Sequence, residues 1–145
     1  MATRTASTHW EGGLQQGAGR VTLDTSGVGS YDVSWRARAD EDAGGSTSPE
    51  ELVAAAHASC YSMQLSGILE KAGTAPQSLD TTADVSFGKR GEGYAITGIL
   101  LRVAGVVPGA SDEDFQAAAQ KAKEICPVSA ALAGTEISLE AKLAG

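Results

Sequence analysis

One long helix-forming segment constrains the fold more than any other part of the chain. It opens with Ser48 at a position suited to an N-cap, Pro49 at the first helical position and Glu51 at the reciprocal position of a capping box. The segment runs to Lys71, and Gly73 then provides a stop. The sequence therefore predicts a helix of more than twenty residues in a chain of 145.

The sides of this predicted helix are unusually small and apolar, with Ala, Ser, Gly and Cys on several faces. Helices of this kind are usually buried against another helix or a sheet. We expect the buried face to be one stripe, formed by Leu52, Ala56, Cys60, Met63 and Gly67. His57 is expected to pack near the helix surface.

Alternation of polar and apolar residues predicts strands on both sides of the helix. The predicted strands are 9–10, which is weak, 19–24, 31–38, 81–89, 94–107 and 136–143. A second helix opens at Ser111 and ends near Cys126, because Pro127 disfavours helical geometry in the residue before it, and a short third helix covers 127–133. The order β-β-β-α-β-β-α-β, leaving out the short helix, predicts an α+β fold.

Composition and charge narrow the classes of partner. The length is typical of one domain, residues 1–145, and 42% of the residues are hydrophobic but only 5% aromatic, so the core should consist mainly of aliphatic side chains. A net charge of −7 without a basic stripe argues against nucleic acid and against an anionic membrane surface. No signal-peptide pattern and no membrane span is visible, so we expect a cytoplasmic protein, in which the two cysteines are more often reduced, reactive or merely buried than joined in a permanent structural disulfide.

Two cysteines, 66 residues apart, offer the clearest chemistry. That spacing excludes a CxxC redox motif and a zinc knuckle, but folding can bring the sulfurs together as an attacking and a resolving thiol. Cys126 lies where a helix begins, and that position favours the thiolate. Cys60 lies inside an apolar helix and needs a nearby cation, for which Arg36 or Arg38 on the predicted strand 31–38 is available. A cysteine in an Ala-rich helix is also typical of an inert small hydrophobe.

The segments around both cysteines resemble a known family. They are TSPEELVAAAHASCYSM at 47–63 and ICPVS at 125–129, with further similarity at 9–12 and 79–85. The pattern is similar to that of the OsmC/Ohr family of thiol-dependent peroxidases, closest to its OsmC branch, and covers nearly the whole chain. The resemblance implies an OsmC-like fold, with antiparallel sheets around two central helices, in an intertwined homodimer.

The resemblance also implies roles for individual residues. Cys60 becomes the peroxidatic thiol and Cys126 the resolving thiol, which reverses the order that the local argument gave. Arg38 would lower the thiol pKa, and Glu50 would hold its guanidinium in a bidentate pair. The alignment favours Arg38, but one shifted gap would put Arg36 in its place.

Helix geometry adds a prediction about assembly. Glu50 and Cys60 are ten residues apart on one helix, about 15 Å along its axis, so one arginine could not easily touch both. We therefore expect the Arg-Glu pair at each cysteine to come from a second subunit, as the family's homodimers imply.

The activity implied is reduction of organic hydroperoxides through a Cys60 sulfenic acid and a disulfide with Cys126. No haem, flavin or metal is expected: His9, His57 and the cysteines lack the spacing of zinc ligands. The family implies an external dithiol reductant such as a lipoylated protein. Two alternatives stay open: a redox-sensing or apolar-ligand-binding protein of the same fold without turnover, and a structural dimer with inert thiols.

Overall fold

The computed structural model describes residues 1–145 and contains six strands and four helices. In chain order they are β1 (Ser7–Glu11), β2 (Ala18–Thr22), β3 (Ser30–Val33), α1 (Trp35–Ala39), α2 (Pro49–Lys71), β4 (Ser78–Arg90), β5 (Gly93–Val106), α3 (Asp112–Ile125), α4 (Pro127–Ala131) and β6 (Ile137–Leu143). The strands form two sheets of three, so the predicted α+β class is confirmed. The chain divides into two compact units, Met1–Leu52 and Val53–Gly145.

The first unit contains an antiparallel sheet in the order β1-β2-β3. Strand β2 passes closely beneath an indole ring: a Cβ added at Gly19 would lie 2.6 Å from the Trp10 side chain and 2.9 Å from that of Val33. Only glycine leaves room for this approach, because real Cβ atoms do not come so close to other heavy atoms.

The predicted strand 31–38 is wrong beyond Val33. Ser34 accepts a hydrogen bond from the Ala37 backbone N–H at 3.1 Å and so N-caps the short helix α1. N-capping by Ser34 therefore determines the structure at this point, although the alternating pattern favours a strand. Arg36 and Arg38 therefore lie on a helix and not on the predicted strand. Two residues apart on a helix, they do not share a face.

Helix α2 begins and ends where the sequence predicts. The Glu51 backbone N–H donates to Ser48 Oγ at 3.1 Å, while the Glu51 carboxylate accepts from the Thr47 hydroxyl. At the other end Gly73 has a positive φ of 84°, and the N–H groups of Gly73 and Thr74 donate to the carbonyls of Glu70 and Leu69 in a Schellman motif.

The buried face of α2 differs from the predicted stripe. Four residues at spacings of four are buried, namely His57, Tyr61, Leu65 and Leu69, whereas Ala56 is exposed and Met63 is 75% exposed. The expectation that His57 lies near the surface is also wrong, because its side chain is fully buried. Small and apolar residues of α2 itself occupy most sides of the helix, so their periodicity in the sequence does not identify the face that packs.

The second unit is built on the sheet β4-β5-β6. Strands β4 and β5 form the predicted hairpin, with Gly91 at a φ of 61° in the turn, but β6 pairs parallel to β5. The expectation of purely antiparallel sheets is therefore wrong for this sheet. A parallel neighbour needs a crossover connection, and α3 and α4 provide it.

Helix α3 supplies most of the remaining core. Ser111 caps it by accepting from the Asp114 N–H at 3.1 Å, and Phe115, Ala118, Ala119 and Ala122 are buried. Ile125, in the last turn of the same helix, is exposed. The short helix α4 ends at Ala131, two residues before the predicted end. None of the helices has the length and apolar character needed to cross a membrane.

Candidate active site

The two cysteines meet inside the second unit. Cys60 lies midway along α2 and is partly buried, while Cys126 lies between α3 and α4 and has no exposed surface. Both thiols are free, and their Sγ atoms are 3.1 Å apart. A disulfide needs about 2.05 Å between the sulfurs, so a movement of about 1 Å would join them. Their predicted proximity is therefore present, while their catalytic roles stay predictions.

The surroundings of the two thiols shift their acidities in opposite directions. Burial raises the pKa of Cys60, and its hydrogen bond with Cys126 raises it further. Burial also acts to raise the pKa of Cys126, but the hydrogen bond with Cys60 and those from the backbone and hydroxyl of Ser129 outweigh it and lower the pKa overall. Cys126 is thus the first thiol of the pair to ionise, in agreement with the local argument from the sequence.

Cys126 holds the N-cap position of α4 without a well-aligned capping hydrogen bond from its side chain. The backbone N–H groups of Ser129 and Val128 still lower its pKa. An N–H group at the start of a helix favours a nearby negative charge even without ideal alignment.

A buried histidine and a buried serine adjoin the thiols, and the sequence alone did not indicate this pair. His57 Nε2 and Ser129 Oγ are 2.8 Å apart, and the two residues are 0% and 5% exposed. Burial lowers the pKa of His57, so the imidazole is neutral at pH 7. The only signal in the sequence is that His57 begins the series His57, Tyr61, Leu65 and Leu69, whose spacing of four marks the buried face.

Tyr61, next to Cys60 in the chain, closes the site on the core side. Its hydroxyl donates to the Ala119 carbonyl at 3.0 Å, and its side chain is fully buried. Burial raises the pKa of Tyr61, and the charge of a Cys126 thiolate raises it further. The phenol therefore remains neutral and holds α2 against α3.

The first unit contains the predicted arginine–glutamate pair. Arg38 Nε donates to Glu50 Oε1 at 3.0 Å, and the Glu50 side chain is only 7% exposed. Glu50 Oε2 is buried without a hydrogen-bond partner, so the carboxylate accepts Arg38 at one oxygen and the expected bidentate pair is not formed. Arg36 instead pairs with Asp42 at 2.8 Å on the surface, which leaves Arg38 as the partner of Glu50.

An apolar cavity of about 360 Å³ lies beside Arg38 in the same unit. Most of its lining is hydrophobic or aromatic, including Trp10, Leu14, Val21, Val33, Trp35 and Leu52. Arg38 is the only charged side chain that lines it. A cavity of this size and character suits a small apolar molecule that carries one polar group.

Comparison with known proteins identifies the family. The model of the family described as OsmC-like protein matches residues 39–142, which is well over half of the chain. The chain belongs to the OsmC family. It is 44% identical over 135 residues to peroxiredoxin OsmC of Escherichia coli (strain K12), a match that covers 93% of this chain and 92% of that protein.

Two solved structures share the fold. The organic hydroperoxide resistance protein OhrB of Bacillus subtilis is 27% identical with a TM-score of 0.70, covering 97% of this chain and 98% of that one. An OsmC-like protein of unknown function from Vibrio cholerae has a TM-score of 0.76 at 22% identity, covering 97% and 99% of the two chains. At that identity the second likeness concerns the fold alone.

The OsmC family match includes most of the predicted site. Glu50, Cys60 and Cys126 lie inside the matched range, whereas Arg38 precedes its first residue by one. The structural reason to keep Arg38 in the site is thus its hydrogen bond to Glu50. The protein presents no group of three or more His, Cys, Asp and Glu side chains that could hold a metal ion.

Proposed function

We propose that this OsmC-family protein is a thiol-dependent peroxidase that reduces organic hydroperoxides to alcohols. The general class, a peroxidase-type oxidoreductase, rests on 44% identity to a peroxiredoxin over nearly the whole chain. The organic substrate is in line with the likeness to a protein named for organic hydroperoxide resistance. The observation that carries the proposed mechanism is the pair of free thiols whose sulfurs lie 3.1 Å apart.

The proposed reaction uses one cysteine after the other. The Cys60 thiolate attacks one oxygen of the hydroperoxide, the O–O bond breaks, and the alkoxide takes up a proton and leaves as the alcohol. The Cys60 sulfenic acid then reacts with Cys126: the S–S bond forms, the S–O bond breaks, and the hydroxide leaves as water. An external dithiol, such as a lipoylated protein, reduces the disulfide, and no resident cofactor takes part.

Cys60 needs a positive charge to become the attacking thiolate, because burial and Cys126 both raise its pKa within the chain. The Arg38–Glu50 pair can supply that charge from a second subunit. Ten residues of α2 separate Glu50 from Cys60, about 15 Å of helix rise, which one arginine does not easily span. A homodimer also covers the α2 face on which Met63 is 75% exposed.

The apolar cavity supports the proposed substrate class. Its hydrophobic lining fits an alkyl or aryl group, and the Arg38 guanidinium can stabilise the negative charge that develops on the breaking peroxide. Hydrogen peroxide is small and polar and gains little from such a lining. Alkyl and aryl hydroperoxides are therefore the expected substrates.

The test is consumption of cumene hydroperoxide with a dithiol reductant by the wild type, Cys60→Ser and Cys126→Ser. We expect no reaction in Cys60→Ser. In Cys126→Ser, exposure to the peroxide before the dithiol is added should reduce one equivalent and stop at the sulfenic acid. Loss of the first reduction only in Cys126→Ser would show that the more acidic thiol attacks the peroxide. A stoichiometric apolar ligand retained by a wild type without turnover would favour a binding protein.

A further inference from the structure

The buried pair formed by His57 and Ser129 has no part in the proposed reaction, yet it adjoins both thiols. The two residues are 72 positions apart in the sequence and are joined by a hydrogen bond of 2.8 Å. His57 lies one helical turn before Cys60 on α2, and Ser129 follows Cys126 by three residues on α4. The pair therefore connects the chain segments that carry the two sulfurs.

The direction of this hydrogen bond follows from the other nitrogen of the ring. His57 Nδ1 is buried and has no hydrogen-bond partner. A neutral imidazole has one N–H, and an N–H at Nδ1 would be a buried donor without an acceptor, which proteins rarely contain. The proton therefore belongs on Nε2, which donates to Ser129 Oγ. The hydrogen of the Ser129 hydroxyl is then free to point to another acceptor.

The Cys126 sulfur is a neighbouring candidate for that acceptor. Ser129 and Cys126 lie in the same helical turn, where the side chain of one residue reaches that of the third residue after it. We propose that His57 orients the Ser129 hydroxyl as a hydrogen-bond donor to the Cys126 thiolate during its attack on oxidised Cys60. His57 is thus a positioning residue that stays neutral throughout. This inference rests on the proposed function, because it assigns Cys126 to the resolving step.

The acidity of Cys126 agrees with this direction. The Ser129 hydroxyl is among the groups that lower the pKa of Cys126. The other titratable groups near that sulfur come from α2, namely Cys60 and Tyr61, and both keep their protons more strongly than usual because burial raises the pKa of each. Lys123, in the last turn of α3, donates to the Ile137 carbonyl at 3.2 Å. Among these neighbours the serine is the hydroxyl donor that favours the Cys126 thiolate.

Loss of this donor has a distinct kinetic signature. Removal of one hydrogen bond to a charged group should raise the pKa of Cys126 by about one unit or more. A thiolate of higher pKa is scarcer but more nucleophilic, with a Brønsted slope of about 0.4–0.5. Below the wild-type pKa of Cys126, disulfide formation should therefore be about three- to fourfold slower in the variant than in the wild type. Above the raised pKa of the variant, it should be about threefold faster. A purely structural effect would not reverse its sign with pH.

The experiment follows the resolving step alone. Reduced protein is mixed with one equivalent of cumene hydroperoxide without a dithiol, and Cys60 sulfenic acid and disulfide are quantified against time by mass spectrometry at several pH values. The variants are His57→Gln, which keeps an N–H donor but cannot become charged, His57→Leu and the smaller change Ser129→Ala. His9→Gln, at an exposed histidine, is the matched control.

We expect the rate of disulfide formation to depend on pH in His57→Gln and His9→Gln as it does in the wild type. In His57→Leu and Ser129→Ala, the curve of rate against pH should cross the wild-type curve. The proposal is overturned by profiles that do not cross. It is also overturned if His57→Gln is as impaired as His57→Leu, because His57 would then act as a base and not as a neutral donor.

A second measurement separates this inference from the proposed function. The pKa of Cys126 is obtained from the pH dependence of the ultraviolet absorbance of its thiolate in a Cys60→Ser background, with and without His57→Leu or Ser129→Ala. An increase of about one unit supports the orienting role even in a protein without peroxidase activity. An unchanged pKa overturns it even where peroxide is consumed normally.

Discussion

Breaking the Arg38–Glu50 pair from either side should give unequal losses of stability. The Glu50 side chain is 7% exposed, whereas Arg38 is 35% exposed. Arg38→Met leaves a buried carboxylate without its partner, a change that costs about 3–5 kcal/mol when the remaining charge is fully buried. Glu50→Gln leaves an arginine that reaches water, so its cost should be close to that of a surface ion pair, about 0.5–1 kcal/mol.

The assay is urea denaturation at fixed protein concentration, because a dimer would make the midpoint depend on concentration. Arg36→Met is the matched control: its side chain is 60% exposed and pairs with Asp42, so about 0.5 kcal/mol or less should be lost. We expect the loss to increase in the order Arg36→Met, Glu50→Gln, Arg38→Met. An equal or greater loss in Glu50→Gln than in Arg38→Met would refute the burial argument.

Two further predictions concern the core around the thiols. Burial lowers the pKa of His57, so the unfolded state binds more protons than the folded state once the pH falls below about 6.5. The free energy of unfolding should therefore decrease as the pH falls further. In a pH series of denaturation curves, the free energy of unfolding should depend less on pH for His57→Gln than for the wild type. A Cβ at Gly105 would lie 2.8 Å from the Phe115 ring, so Gly105→Ala should lose about 1–3 kcal/mol in the same assay. Gly134→Ala, which meets nothing within 4 Å, should be nearly neutral, and similar losses in the two variants would contradict the packing argument.

Local signals predicted the elements well where the backbone itself determines them. The ends of α2 follow from Ser48 and Gly73, and the junction at Cys126 follows from the proline after it. The failures occurred where two local signals compete or where tertiary contacts decide. At Ser34 capping overrides alternation, and the parallel pairing of β6 depends on a crossover that no short segment encodes.

The residues of the candidate site divide in the same way, into those that a local segment predicts and those that only the fold brings together. Cys60 and Cys126 are visible in the sequence because each stands in a recognisable segment, and Glu50 follows from the helix start. His57 and Ser129 are not visible as a pair, because each is an ordinary residue for its helix and only folding places them 2.8 Å apart. Contacts across 72 residues leave no periodic or spacing signal in a single sequence.

The two arguments about the cysteines, from local physics and from the OsmC family, address different steps. The lower pKa of Cys126 concerns which sulfur carries the negative charge in the reduced pair, whereas a peroxide also needs access to the sulfur that it oxidises. Cys126 has no exposed surface, and Cys60 is partly exposed. An arginine that reaches Cys60 from a second subunit would shift the shared charge to the accessible sulfur. Cys126 would then regain its thiolate, stabilised by Ser129, once Cys60 is oxidised.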